Sequence, residues 1–164
     1  MHKCRICNSF KLKKVFSLGK QPLANNLLNS ILEKARLYPL DLYQCQKCSL
    51  LQLGHVIPKE KLYEEYYYVP SISKTGLKHF KNLAGKLTSS LELKEGSLVV
   101  DIGGNDGSLL QFFKEMKVLN VEPAKNIKVI EDIPTIMDYF NGKVAGKIVK
   151  RYGKAKLVMA TNSF

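Results

Sequence analysis

The sequence predicts an α/β protein in which about four parallel strands form an incomplete doubly wound sheet, preceded by a small β-rich zinc module. Two C-x-x-C pairs lie 37 residues apart near the N-terminus, and a glycine-rich turn follows a short apolar strand. Strand and helix patterns alternate from residue 95 onward. The 164 residues hold 45% hydrophobic and 24% charged side chains. This composition excludes a largely disordered chain and a coiled coil.

The two C-x-x-C pairs contain all four cysteines of the chain: Cys4 with Cys7, and Cys45 with Cys48. Each short turn can present two thiolates to one ion, so the spacing predicts a four-cysteine zinc site. Four protein sulfurs leave no coordination position for a reacting water, and we therefore expect a structural zinc ion. A redox-active C-x-x-C motif and reduced cysteines that only pack remain as alternatives.

The segment between the pairs supports a zinc module of residues 1–57. Strand patterns occur over residues 15–19 and 38–45, and residues 50–53 resume the pattern after the second pair. These strands predict a hairpin that closes on the metal. Because the region is poor in apolar residues, we expect its folding to be coupled to metal binding.

Residues 58–94 are expected to form a helical connector. Pro58 is placed to open a short helix over residues 59–66, and apolar residues three or four positions apart predict a second helix over residues 73–91. Tyrosine occupies positions 63, 66, 67 and 68. Packing explains some of these rings, and one or two phenols facing a ligand is the alternative.

Residues 95–164 follow a β-α-β-α-β-α-β order, which implies right-handed crossovers and a doubly wound sheet. The predicted strands cover residues 97–102, 118–122, 134–137 and 156–160. The predicted helices cover residues 108–116, 125–132 and 144–152.

The turn Gly103-Gly104-Asn105-Asp106-Gly107 follows the first of these strands. Such a turn brings backbone N–H groups to the carboxyl end of a parallel sheet, where ligands bind. Neither the G-x-G-x-x-G dinucleotide fingerprint nor a Walker loop fits the spacing. Glu122 ends the next strand, where a carboxylate can accept hydrogen bonds from ribose hydroxyls. The pattern therefore predicts a nucleoside site.

The net charge of +12 is concentrated at the N-terminus, where residues 1–50 carry nine basic and two acidic side chains. Only three of the basic residues in the chain are arginines, the side chain favoured for recognising phosphates and base edges. We therefore interpret the excess as a solvated lysine surface, and nucleic acid is a less favoured partner that the sequence does not exclude. No apolar run is long enough to span a bilayer and the N-terminus lacks a signal-peptide core, so we expect a cytoplasmic protein with no membrane partner.

Residues 101–110, DIGGNDGSLL, with Val121-Glu122-Pro123-Ala124, resemble the cofactor-binding core of class I S-adenosylmethionine-dependent methyltransferases. The two C-x-x-C pairs, Pro22-Leu23-Ala24-Asn25 and the tyrosine-rich stretch resemble the sugar C-methyltransferase family. The resemblance implies a Rossmann-like sheet over residues 95–164, with structural Zn²⁺ and S-adenosylmethionine as cofactors. It also implies a small-molecule substrate, in the family often a nucleotide-linked ketosugar.

The resemblance further implies which residues hold the cofactor. They lie at the end of the first strand and in the glycine-rich turn, at the acid that matches the ribose-binding position, and after the third and fourth strands. These residues are Asp101, Gly103, Gly104, Asn105, Asp106, Gly107, Glu122, Asp138, Tyr139, Phe140, Thr161 and Asn162. Tyr66, Tyr67 or Tyr68 matches a catalytic tyrosine on the substrate side.

The sheet of class I methyltransferases has seven strands, and only four can be placed in this sequence. The chain is therefore expected to be an N-terminal portion with weak or no turnover alone. Its open edge strand at residues 156–160 predicts self-association or pairing with a C-terminal partner chain. Two other functions remain open: a zinc-containing RNA methyltransferase, and a non-catalytic zinc- and cofactor-binding module that works with a partner chain.

Overall fold

The computed structural model describes residues 3–24 and 26–163. It divides into two compact units, one ending at Leu62 and the other beginning at Tyr63. The first contains a three-stranded sheet and the second a four-stranded parallel sheet. The predicted α/β class with a β-rich N-terminal module is thereby confirmed. The finer boundaries at residues 57 and 94 stay a prediction, and Asn25, the last residue of the Pro-Leu-Ala-Asn motif, lies outside the described residues.

The first unit is an antiparallel sheet built around the cysteines. Strand β1 (Leu12–Pro22) pairs with β2 (Leu37–Cys45), and β3 (Leu51–Leu53) pairs with the other edge of β2. The register places Leu12 opposite Cys45, so the hairpin closes beside the second cysteine pair. Strand β1 is longer than the sequence pattern predicts because it follows β2 along nearly its whole length, with two register shifts.

The second unit contains a parallel sheet of the strands β4 (Leu98–Ile102), β5 (Lys117–Val121), β6 (Thr135–Ile136) and β7 (Leu157–Met159). Their order across the sheet is β6-β5-β4-β7. Every residue of β4 is buried, as expected for a central strand covered on both faces. Strand β7 forms one edge of this sheet, and the association expected at this edge stays a prediction.

Two helices of the second unit begin at side-chain caps. Helix α2 (Lys74–Ser90) is preceded by Ser73, whose hydroxyl accepts a hydrogen bond from Gly76 N–H. Helix α3 (Gly142–Tyr152) begins after Asn141, whose side chain likewise accepts from a backbone N–H. Both helices lie where the apolar periodicity predicts them. Each cap satisfies an N–H group that lacks a partner within the helix and so fixes where the helix begins.

The core of the second unit covers both faces of the sheet. One face packs Val100, Leu119 and Val121 against Val144 and Ile148 of α3. The opposite face packs against Ala84 of α2 and a short segment after the glycine-rich turn, with core members Val99, Leu109, Leu110, Phe113 and Met159. Alternate residues of β4 thus belong to different faces, as the pleat of a strand requires.

The helix predicted over residues 108–116 is wrong, because only a 3₁₀ helix at Leu110–Phe112 forms there. Asp106 Oδ1 accepts from both Ser108 N–H and the Ser108 hydroxyl, and Phe112 N–H and Phe113 N–H donate to carbonyl groups three positions earlier, as in a 3₁₀ helix. Leu109, Leu110 and Phe113 remain buried in this tighter arrangement.

The predicted helix over residues 125–132 is also wrong, and that over residues 59–66 is shortened to α1 (Glu60–Tyr63). Some backbone groups of the two segments bond to other parts of the chain. Lys125 N–H donates to Glu64 O at 2.9 Å, and Ile130 N–H donates to Asp106 O at 2.8 Å. These bonds take backbone groups that a helix would need.

Among the described residues, no helix has the length and apolar character needed to cross a membrane.

Candidate metal and cofactor sites

The two C-x-x-C turns share one backbone geometry. Cys4 N–H donates to Ser9 O, and Cys45 N–H donates to Leu50 O, both at 2.8 Å. In each turn the N–H of the residue four positions after the first cysteine donates back to that cysteine's carbonyl group. That residue is Asn8 in the first turn and Ser49 in the second, with φ of 58° and 62°. Each turn therefore presents its two sulfurs in the same way.

The four sulfurs have the spacing of a tetrahedral metal site. Cys4 Sγ lies 3.5 Å from Cys48 Sγ, and Cys7 Sγ lies 3.5 Å from Cys45 Sγ. All four sulfurs lie within 4.8 Å of one another, and none forms a disulfide. Zn–S bonds of about 2.3 Å in a tetrahedron give S–S separations of about 3.8 Å. The predicted four-cysteine cluster is therefore confirmed, and its geometry fits Zn²⁺.

The thiols differ in acidity without a metal. The backbone N–H of Cys7 lowers the pKa of the Cys4 thiol to about 6, and that of Cys48 lowers the pKa of Cys45. Leu50 N–H favours the Cys48 thiolate, but three neighbouring sulfurs outweigh it and raise the pKa of Cys48 to about 12. Four adjacent thiolates repel one another, and a divalent cation removes that penalty. The cluster is thus a site for a thiophilic cation.

Gln52 supports the first cysteine turn, and nothing in the sequence pattern singles it out. Its side chain is 6% exposed. The amide oxygen accepts from Arg5 N–H at 3.0 Å, and the amide nitrogen donates to Lys3 O at 3.1 Å. A buried amide with both ends bonded fixes the path of the backbone around Cys4. Its position opposite Tyr43 in the β2–β3 ladder could have suggested burial, but not these partners.

Asp101, the fourth of the five residues of β4, is a buried carboxylate beside the glycine-rich turn. It is 1% exposed, and neither of its oxygens has a hydrogen-bond partner among the described residues. Burial, together with the nearby charge of Glu122, raises the pKa of Asp101 to about 6. An unpaired buried acceptor is costly, so such a group indicates a missing donor.

Gly104 is required by close approach of other groups. A Cβ there would lie 2.5 Å from Asn120 Oδ1 and 2.9 Å from Asp101 Oδ2. Asn120 is directly opposite Asp101 in the β4–β5 register and is fully buried. A side chain at position 104 would therefore occupy the space that the acceptor oxygens face.

Glu122 lies at the end of β5 with 6% of its surface exposed. One carboxylate oxygen accepts from Asn105 N–H and the other from Ala124 N–H, both at 2.9 Å. Each oxygen retains a second lone pair, so these bonds orient the carboxylate and leave acceptor capacity. The predicted contact with ribose hydroxyls stays a prediction.

The glycine-rich turn is bonded to the tyrosine-rich segment, defined here as residues 63–71. Asn105 Nδ2 donates to Tyr68 O at 2.9 Å, and Ser71 N–H donates to Asp106 Oδ2 at 3.2 Å. Tyr66 is held on its other side by Asn126, which accepts from Tyr66 N–H at 2.8 Å and donates to Tyr66 O at 3.1 Å. The structure therefore brings this segment to the predicted cofactor residues.

The tyrosine side chains of this segment differ in their exposure to solvent. Tyr66 is half-buried, with its ring 6.2 Å from that of Tyr63. Tyr67 and Tyr68 are 55% and 53% exposed. Because backbone groups hold the segment, the phenols of Tyr67 and Tyr68 are not needed for its packing. Their catalytic role stays a prediction.

Asp138, Tyr139 and Phe140 follow β6 at the same end of the sheet as Glu122. Glu122 N–H donates to Ile136 O at 3.0 Å, which continues the β5–β6 pairing to this point. Asp138 is exposed and accepts from Tyr139 N–H at 2.7 Å, while Phe140 is 39% exposed. These residues thus follow the end of β6 by two to four positions, on the side of the sheet edge where Glu122 lies. Their contact with adenine stays a prediction.

Thr161 and Asn162 follow β7 at the carboxyl end of the sheet, and the next residue meets the glycine-rich turn. Ser163 Oγ lies 3.4 Å from Gly103 O and 3.3 Å from Thr161 O. Asn162 adopts a left-handed φ of 59°, which folds the chain toward Gly103. Ser163 was not among the predicted residues, because an isolated serine after a strand carries no distinctive signal.

Comparison with known proteins agrees with this arrangement. Residues 4–63 match the family model described as a zinc binding domain, a domain of methyltransferases. The chain is 33% identical over 168 aligned positions to the C-methyltransferase NovU of Streptomyces niveus. The alignment covers 98% of this chain and 40% of that relative. The chain therefore spans less than half the length of the curated relative that it matches.

The two matches concern the same features that the sequence motifs single out. The zinc-binding match covers all four cysteines, and the match to the C-methyltransferase continues through the glycine-rich turn. They confirm the resemblance of this chain to the zinc-containing C-methyltransferase family.

Proposed function

We propose that this chain supplies the zinc module and the cofactor-binding sheet of an S-adenosylmethionine-dependent C-methyltransferase. The observation that carries the proposal is Asp101, a buried carboxylate without a hydrogen-bond donor, beside a glycine whose Cβ would fill the adjacent space. S-adenosylmethionine carries an ammonium group and two ribose hydroxyls, which are donors for such acceptors. The chemistry of the site therefore fits the cofactor.

The residues of the second unit divide into roles toward that cofactor. Asp101 would accept from the ammonium group, and the carboxylate of Glu122 would accept from the ribose hydroxyls through its remaining lone pairs. Asp138, Tyr139 and Phe140 would border the adenine ring, and Thr161 with Asn162 the methionine part. When bound, S-adenosylmethionine supplies an electrophilic methyl group.

The proposed substrate is a nucleotide-linked ketosugar or a related small molecule. Methylation at carbon requires removal of a proton from that carbon, which a neighbouring ketone makes possible. A tyrosine among residues 66–68 is proposed to face the substrate during this step. The exposed phenols of Tyr67 and Tyr68 and the bond from Asn105 to Tyr68 O support this assignment.

The zinc ion is proposed to be structural. The four cysteines would fill a tetrahedral coordination shell, which leaves no position for substrate or water. In that role the ion would fix the C-terminal end of β2 and the two cysteine turns and take no part in methyl transfer.

Isothermal titration of the zinc-loaded chain with S-adenosylhomocysteine tests the cofactor proposal. We expect binding that Asp101→Asn weakens roughly tenfold or more, because the bond to a charged acceptor is lost. Glu131→Gln is the matched control, since it neutralises an exposed acid of the same unit. No binding to the wild-type chain, or equal weakening by both variants, would contradict the proposal.

The charge of the first 50 residues favours a second candidate, a zinc-containing RNA methyltransferase. Phosphate contacts release counterions, so RNA binding of this kind weakens steeply as salt rises. A titration of a short single-stranded RNA at several salt concentrations separates the candidates. Tight binding with a steep salt dependence favours RNA, and its absence favours the small-molecule substrate.

A further inference from the structure

Asn120 is a polar residue in a position that the sheet would ordinarily give to an apolar side chain. It lies within β5, is 0% exposed, and has apolar neighbours Leu119 and Val121 in the same strand. Its Nδ2 donates to Asn105 O at 2.9 Å, and its Oδ1 has no partner among the described residues. Burying an amide is costly, so the bond to Asn105 is the evident gain that offsets it.

Asn105 is the point where three parts of the second unit meet. Its N–H donates to Glu122 Oε2, its carbonyl accepts from Asn120, and its side chain donates to Tyr68 O, each at 2.9 Å. It does so with φ of 53°, a left-handed conformation that asparagine tolerates better than most residues. Its backbone therefore belongs to the cofactor turn while its side chain belongs to the tyrosine-rich segment.

The link through Asn105 is separable from the other attachments of that segment. Asn126 holds Tyr66 from outside the glycine-rich turn, with two hydrogen bonds. Asp106 holds Ser71 through a single bond of 3.2 Å. Among the described residues, Asn105 alone bonds both to the tyrosine-rich segment and to Glu122, the carboxylate proposed to bind ribose. A change at Glu122 therefore reaches Tyr68 by a path of two hydrogen bonds.

We propose that Asn105, fixed by Asn120, is a positioning residue that couples cofactor binding at the glycine-rich turn to the placement of Tyr66–Tyr68 on the substrate side. The inference rests on the proposed function. A ligand that orders Glu122 and the turn also fixes the Asn105 backbone, and the Asn105 side chain then holds Tyr68 O. Substrate-side order therefore follows cofactor binding.

Hydrogen–deuterium exchange of the zinc-loaded chain, with and without S-adenosylhomocysteine, tests this coupling. In the wild-type chain we expect the ligand to slow exchange in residues 103–108 and also in residues 63–73, by about fivefold or more. Asn105→Gly keeps the left-handed backbone and its N–H and C=O groups but removes the bond to Tyr68 O. In this variant we expect slowing at the turn and at Ser71, whose N–H still donates to Asp106, and none at residues 63–69.

A second pair of variants separates coupling from simple loosening. Asn105→Asp keeps the shape of the side chain but cannot donate to Tyr68 O, and it should behave like Asn105→Gly. Asn126→Ala loosens the tyrosine-rich segment from the other side, so basal exchange should rise while the slowing by ligand persists. A structural role alone would make both kinds of variant lose the ligand effect equally, which would overturn the coupling.

The outcomes also distinguish this inference from the proposed function. Slowing at the turn without slowing at residues 63–73 in the wild-type chain overturns the coupling and leaves the cofactor assignment supported. No slowing at either place overturns the cofactor assignment and the coupling with it. Slowing at residues 63–69 that survives Asn105→Gly and Asn105→Asp also overturns the coupling.

Discussion

In the first unit only four of the described residues are buried, namely Cys4, Cys45, Gln52 and Gly54. The second unit buries apolar side chains on both faces of its sheet. Two of the four buried residues in the first unit are metal ligands by geometry, and large apolar side chains such as Phe10, Phe16 and Ile31 remain exposed there. The contrast indicates that one unit depends on a metal and the other on hydrophobic burial.

This difference predicts that the two units can be unfolded separately. A cross-link by zinc would join residues far apart in the chain, and its loss would release the two cysteines that make up half of the buried residues described in the first unit. The second unit has no cysteine, so its stability should not respond to metal removal. The predictions below begin with the changes expected to separate the units most.

Removal of zinc should have the largest effect. Zinc binding contributes about 10 kcal/mol or more to the folding of small zinc modules, so a chelator or Cys4→Ser should unfold the first unit. Hydrogen exchange should become fast in residues 12–22 and 37–53 and remain slow in residues 98–102 and 117–121. Ser30→Ala, an exposed serine of the same unit, is the control. Retained protection of β1 and β2 after zinc removal would contradict the prediction.

Phenylalanine-to-alanine substitution should cost much more free energy of unfolding in the second unit than in the first. Phe113 is 2% exposed in the second unit, whereas Phe16 is 55% exposed in the first. Phe113→Ala should lower the free energy of unfolding of the second unit by about 3–5 kcal/mol, because it opens a cavity. Phe16→Ala should change stability by no more than about 0.5 kcal/mol.

Urea titrations followed by hydrogen exchange of residues 98–102 and 37–45 measure both units in one sample. Zinc content should stay at one ion per chain in both variants. Equal destabilisation by the two substitutions would mean that the first unit holds its aromatic residue more tightly than its exposure indicates.

Asp101 should make the stability of the second unit depend on pH. Burial raises its pKa to about 6 from 3.8, so the folded state binds more protons than the unfolded state between these values. Stability is therefore greatest below about pH 4 and is lost as pH rises through about 6. Asp101→Asn should remove this loss and stabilise the second unit at pH 7.5 by on the order of 2 kcal/mol.

The gain from Asp101→Asn should shrink to a few tenths of a kcal/mol, about a tenth of its value at pH 7.5, at pH 3.5, where the carboxyl group is mostly protonated in both states. Urea midpoints taken from exchange in residues 98–102 measure the second unit alone, which avoids the release of zinc from the first unit in acid. Glu131→Gln should leave the pH profile unchanged. A variant that is destabilised at pH 7.5 would show that Asp101 has a favourable partner in the folded chain.

Much of this architecture follows from local sequence signals. The C-x-x-C spacing predicts the sulfur cluster, the run of β-branched residues predicts β4, and the apolar spacing over residues 73–91 predicts α2. Each of these depends on residues close together in sequence or on a chemistry with few alternatives. The glycine-rich turn is recognisable for the same reason.

The contacts that shape the candidate cofactor site were not predictable in this way. Tyr68 and Asn105 are 37 positions apart, and Tyr66 and Asn126 are 60 positions apart. Such hydrogen bonds leave no periodic pattern, and bonds of this kind take backbone groups from the helices predicted over residues 59–66 and 125–132. Over residues 108–116 the apolar side chains are buried by a 3₁₀ helix and flanking loop instead of an α-helix. Packing geometry therefore overrides local preference around the site.

The smallest expected effect concerns the difference between the two cysteine turns of the first unit. Asn8 and Ser49 occupy equivalent positions with φ of 58° and 62°. Asparagine tolerates the left-handed region, whereas serine carries a larger steric cost there. Ser49→Gly should therefore stabilise the zinc-bound first unit by about 0.5–1 kcal/mol, and Asn8→Gly should change it less. Competition with a chelator of known zinc affinity measures the difference, because tighter folding raises the apparent affinity for the ion. Equal gains from the two variants would show that the two turns carry the same backbone strain, which would contradict the expected steric cost of serine at position 49.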